Sequence, residues 1–223
     1  MTDPDYSMAY KTVTSQKRIL PTPPEVKPVA NPFLGESDEE KRFFVRNNHI
    51  FFFSGVSKDS VYRLKAALCK INDDFRALKH AHPHANITPE PIYLHINSFG
   101  GGVFAALAGI DFIQQSPIPV HTIVEGATAS AATLMSIVGK KRYIRPHASM
   151  LVHQLKDWFG GTLTQIDDHY KNVRVMHDTI KSIYEKHTRL SSESMDTILR
   201  HDRWWDAQTC IENGLADAIW TRE

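Results

Sequence analysis

The sequence predicts an α/β domain. Short apolar runs closed by glycine alternate along the chain with longer segments of helical periodicity, and two strand-to-helix junctions are built of glycine or other small residues. With 223 residues, 42% of them hydrophobic, the chain can fill one core and still carry a tail.

Residues 1 to about 42 stand apart. Six of the twelve prolines lie there, five within "PTPPEVKPVANP", so the stretch reads as an extended arm ahead of a domain spanning 43–223. The domain begins near Phe43. "HIFFFSG" is a buried-strand signal. Val61, Leu64, Leu68, Ile71 and Phe75 then recur at helical spacing behind Ser57, a helix cap. "KHAHPHANITPEP" reads as a polar loop. "PIYLHIN" is a strand, "SFGGGV" turns into the helix "FAALAGIDFIQQ", "PVHTIVEG" is a third strand, and "ASAATLMSIVG" a second turn into a helix. "RYIRP" and "SMLVHQ" are short strands. A long helix runs from Thr162 to about His187, capped by Thr162 or Thr164. Its stripe is Ile166, Tyr170, Val173, His177, Ile180 and Tyr184. "SSESMDTILRH" is the next helix, and "DRWWDAQTCIENGLADAIW" holds a short helix ended by Gly214 and a last strand.

Several function classes fall away. Lys+Arg is 26 against Asp+Glu 25, a net charge of +1 with no basic block, which argues against nucleic acid as partner. The longest apolar runs are far too short for a membrane span, and the acidic N-terminus is unlike a signal peptide, so a cytoplasmic location is expected. Cys69 and Cys210 match no metal or redox spacing and read as reduced, buried thiols. His80, His82 and His84 lack a second ligand cluster, so neither metal nor cofactor is expected.

The chemistry concentrates at the two small-residue turns. Each opens a helix, whose first N–H groups are unpaired and carry partial positive charge. Two such N-termini side by side could hold an oxyanion, and "FGGG" lets backbone approach a ligand. Ser130 sits at the second turn. Thr128 and Ala132 flank it where the Gly-x-Ser-x-Gly elbow has glycines, so that motif does not apply. A serine needs a base, and His153, closing "SMLVH", is the candidate. Asp202 could orient it, with Asp196 and Asp206 as competitors.

In their order along the chain these segments resemble the catalytic subunit of the ATP-dependent Clp protease, the ClpP family, from about Phe43 to Ile219. "INSFGGGV" resembles that family's glycine-rich oxyanion segment, with Phe99 in place of proline. "EGATASAAT" resembles the nucleophile segment, "IRPHASMLVHQ" the histidine segment, and "HDRWWDAQTCIENGLAD" the aspartate segment. The resemblance implies a fold of the ClpP/crotonase type, with repeated β-β-α units and the long helix as a protruding handle. It implies a Ser130–His153–Asp202 triad, with oxyanion donors at the Gly101 and Ala131 N–H groups. Gly100, Gly102 and Gln154 would line an extended peptide. It further implies stacked seven-membered homo-oligomeric rings fed by an AAA+ unfoldase ATPase.

Departures mark a divergent member. Ala131 stands for methionine, and Ala132 for a glycine, an added methyl that would narrow the first specificity pocket. The stretch before "PIYLHIN" is longer than usual. His95 and Gln115 stand where aromatic residues help to dock the ATPase. The chain could belong to an organelle, to a phage acting in host cytoplasm, or to a bacterium as a second copy. Besides an active endopeptidase, three readings remain: a non-catalytic subunit of a mixed ring, a viral maturation protease without an ATPase, and an acyl-CoA enzyme on the related crotonase fold.

Overall fold

The computed structural model describes residues 42–221. All but the last residue of the proline-rich arm lies outside them. Among the described residues there are eight strands, which form one sheet, and six helices, consistent with the α/β expectation. β1 (Phe43–Arg46) and β2 (His49–Phe52) are an antiparallel hairpin turned at Asn47, whose φ of 55° is one that asparagine tolerates. β3 (Ile92–Ser98), β4 (Val120–Ala129), β5 (Lys141–Ile144) and β8 (Ala218–Ile219) continue the sheet in parallel. Parallel pairing needs crossovers, supplied by α1 (Lys58–Ala81), α2 (Val103–Gln114) and α3 (Ala131–Ser136).

β4 forks. His121–Val124 pair with β5, whereas Ala127–Ala129 pair with β6 (Ser149–Val152). Gly126, at φ +60°, lies between the two stretches, and a Cβ there would stand 3.2 Å from the Asn97 side chain. β7 (Arg203–Trp205) then adds antiparallel to β6. α4 (Leu163–His187), α5 (Ser192–Ile198) and α6 (Ala207–Glu212) complete the chain.

Ile92, Leu94, Ile96, Ile123 and Val124 are buried on the central strands, whose near-continuous apolar runs suit a parallel sheet. Val61, Leu64 and Leu68 of α1 join this core, with Ile71 and Phe75 packed at its margin. Ser57 caps α1 in a reciprocal capping box with Ser60, and Thr162, not Thr164, caps α4 with Gln165.

The structure corrects or adds to the sequence reading in four places. α1 continues through His80 and Ala81, residues assigned to the loop. β1 buries only Phe43 and β7 buries none of its residues fully, so neither shows the alternation that betrays a strand. Cys69 is exposed, on the outer face of α1, while Cys210 is buried as expected. The α4 stripe is covered within this chain only at Ile180 and Tyr184; Ile166 and Tyr170 are 47% and 62% exposed.

Candidate active site

Three consecutive glycines set the first wall. Gly100 and Gly101 have φ of +94° and +148°, which side chains rarely adopt. A short parallel bridge joins Val56 to Gly101: Val56 N–H donates to the Gly100 carbonyl and Gly102 N–H to the Val56 carbonyl, both at 2.8 Å. In such a bridge the central residue makes neither bond, so the Gly101 N–H faces away from Val56. A Cβ on Gly100 would stand 2.6 Å from the Cβ of Ser130, so the two turns touch only because Gly100 has no side chain. Gly100 is accordingly buried beneath Ser130, outside the cavity that Gly101 and Gly102 line.

Ser130 ends β4 and opens α3 at φ 54°, ψ −132°, a conformation costing about 1–3 kcal/mol that only surrounding structure can maintain. Its side chain caps nothing, which leaves the hydroxyl available and the Ala131 N–H without a helical partner. The Ala132 methyl is wholly buried in the core and does not line the cavity, so the expected narrowing of a pocket by this residue does not occur.

β6 delivers His153 directly after its last residue. Because Val152 pairs with Arg203, antiparallel pairing brings Asp202 beside His153, with Nδ1 and Oδ1 3.9 Å apart. The other two acids are engaged elsewhere. Asp196 pairs with Lys181 at 2.6 Å, and Asp206 accepts the Thr209 N–H as the cap of α6. Lys156 holds the second oxygen of Asp202 at 2.9 Å, while the buried His153 Nδ1 lacks a hydrogen-bond partner. Burial pushes the His153 pKa below its ordinary value. Asp202 opposes that shift and Lys156 adds to it, leaving a neutral imidazole at neutral pH. The Lys156 ammonium holds the Asp202 carboxyl below the usual range.

Ser130, His153 and Gln154 face one cavity of about 720 Å³ whose far side is Met176, Ile180 and Tyr184 of α4. Lys156 was missed from sequence; its sole signal is its place three residues after His153. Thr133 and Tyr184, whose hydroxyls meet below Ser130, read as ordinary helix residues. Among the described residues no cluster of histidine, cysteine or carboxylate is arranged to hold a metal, His80, His82 and His84 included.

This arrangement has relatives. The Clp protease family model matches residues 78–223, which include both turns, His153 and Asp202. The chain is also 30% identical over 192 residues, 84% of each chain, to the ATP-dependent Clp protease proteolytic subunit 2 of Cutibacterium acnes (strain DSM 16379 / KPA171202). The chain belongs to the Clp protease family. In this Clp protease the two positions expected at a docking face differ in burial. His95, expected to mark a docking face, is only 4% exposed. Its ring bonds Glu125 at 2.8 Å and His49 at 2.9 Å and stacks on Phe51, while Arg145 grips Glu125 at 3.1 Å. Gln115 is exposed at the end of α2.

Proposed function

We propose that this Clp protease chain is a serine endopeptidase acting through Ser130, His153 and Asp202. The observation that supports the reading is strand register: β4 pairs with β6 at Ala129–Leu151 and β6 with β7 at Val152–Arg203, so the residues that follow or precede these pairs, Ser130, His153 and Asp202, come to one end of the sheet. Since Nδ1 faces Asp202, Nε2 is the ring atom left to take the Ser130 proton as Oγ attacks a peptide carbonyl. His153 then passes that proton to the leaving amine, and water repeats the sequence to release the acyl group. Asp202 fixes the tautomer and stabilises the imidazolium. The Gly101 and Ala131 N–H groups receive the oxyanion, a contribution of about 3–4 kcal/mol per donor. An extended peptide adds as a strand along Gly101 and Gly102, with Gln154 at its rim.

Assembly into stacked seven-membered rings around a chamber, fed by an AAA+ ATPase, is part of the same reading. Leu163, Ile166, Tyr170 and Val175 of α4 are 84%, 47%, 62% and 68% exposed, and Trp158 in the preceding loop is 97% exposed, apolar surface of a kind that assembly covers. A second reading, a catalytically silent subunit of a mixed ring, is favoured by one observation: Asp202 sits 3.9 Å from His153 and bonds Lys156 instead. A fluorophosphonate probe decides between them. Covalent labelling at Ser130, abolished by Ser130→Ala, supports the peptidase; an unlabelled but ring-forming protein, by native mass spectrometry, supports the silent subunit.

A further inference from the structure

Ser130 and Asn47 are the non-glycine residues with positive φ among the described residues, so something must hold the Ser130 backbone in place. Its N–H donates to the Leu151 carbonyl at 2.9 Å. Its carbonyl accepts the Thr133 N–H at 3.0 Å and the Thr133 hydroxyl at 2.5 Å. Thr133 has a single hydroxyl hydrogen. Because a carbonyl only accepts, that hydrogen goes to Ser130, and the Thr133 oxygen is left to accept from the Tyr184 hydroxyl 2.5 Å away. The chain therefore has one direction, from Tyr184 through Thr133 to the Ser130 carbonyl. Both side chains are buried, Thr133 at 0% and Tyr184 at 2% exposure. Burial raises the Tyr184 phenol further above its ordinary pKa, so it stays a donor.

The Ser130 carbonyl and the Ala131 N–H belong to one planar peptide unit, in which they point in opposite directions. Whatever fixes the carbonyl aims the N–H. We infer that Thr133 and Tyr184 are positioning residues that lock the Ser130–Ala131 peptide plane, so that the Ala131 N–H points into the oxyanion site. This rests on Ser130 being the nucleophile. It also gives α4 a second role: its buried end is tied by one hydroxyl to the peptide unit on which attack depends. An N–H whose acceptor forms only in the transition state affects turnover and not substrate affinity.

The test is steady-state peptide hydrolysis plus the rate of fluorophosphonate labelling, on the full assembled protein. Tyr184→Phe removes only the hydroxyl. It should lower kcat and the labelling rate together by roughly 5- to 10-fold with KM unchanged, as expected for one lost hydrogen bond. Thr133→Val should lower both further, and Thr133→Ser, which keeps the hydroxyl, should restore them. Tyr184→Phe added to Thr133→Val should cost nothing more, because the chain is already cut. A Tyr184→Phe enzyme with wild-type kcat and labelling rate, or losses that simply add in the double variant, overturns the inference while leaving the peptidase intact. A wild-type protein that does not label at Ser130 overturns both.

Discussion

Ser130 sits at φ 54° with no capping bond on its side chain, which leaves its hydroxyl for the proposed role of nucleophile. Ser130→Ala should therefore abolish peptide hydrolysis, by roughly 10⁴-fold or more, without altering circular dichroism or particle size. A variant keeping a tenth of wild-type rate sinks the assignment. Asp202→Asn should be similarly damaging, whereas Asp196→Asn and Asp206→Asn should act only on stability, since those acids serve Lys181 and the α6 cap. On the proposed mechanism Lys156 tunes the pH profile. The neutral form of His153 is the base, and the lysine charge, after burial, is what lowers its pKa. Lys156→Gln removes that charge and frees Asp202, both of which raise the pKa. The acid limb of kcat/KM against pH should accordingly move to higher pH. No movement, or movement to lower pH, means that Lys156 does not act on His153.

Among the elements, α4 is divided. Ile180 and Tyr184 anchor its C-terminal end in the core, and the stripe read from sequence continues into solvent at Ile166 and Tyr170. Its spacing announced an apolar face, but spacing cannot say whether the same chain or another covers it. Tyr170 lies outside the residues lining the cavity and is already exposed, so Tyr170→Asp should spare the fold. If the exposed face of α4 is a surface that the proposed assembly covers, the variant should yield a smaller particle by native mass spectrometry or sedimentation, with unchanged helical content. A full-size assembly would remove α4 from the contact. β7 makes the complementary point. Three residues with no buried member carry no periodic signal, yet their pairing with β6 is what puts Asp202 at His153.

At the scale of the whole molecule, the sheet carries a polar network that the site does not use. Burial would raise the Glu125 pKa, but the hydrogen bond from His95 and the charge and hydrogen bond of Arg145 outweigh it, and the carboxyl titrates below its ordinary 4.5. A depressed carboxylate stabilises the fold above its unfolded pKa and loses that contribution as pH falls through the folded value. Glu125→Gln should thus lower Tm at neutral pH, with the gap to wild type closing as pH drops below about 4.5. A gap that persists unchanged in acid would mean the loss is one of packing and not of charge. His95, which the resemblance places where aromatic residues help to dock the ATPase, is a buried member of this network, because Glu125 on the adjacent strand offers it an acceptor that no linear reading reveals.

The sequence by itself determined the α/β order, the cap at Ser57, and the small-residue turns around Gly100 and Ser130. These depend on neighbours within a few residues, and local sterics and periodicity write them directly into the chain. It also singled out Ser130 and His153 as candidates, but left three aspartates competing. Only the tertiary structure set Asp202 beside the imidazole, since strand register joins residues 49 positions apart. The Lys156 contact, the burial of His95 and the Tyr184–Thr133 link are of the same kind. Each is a meeting of side chains from elements distant in sequence, and such meetings exist only once the core has fixed where those elements lie.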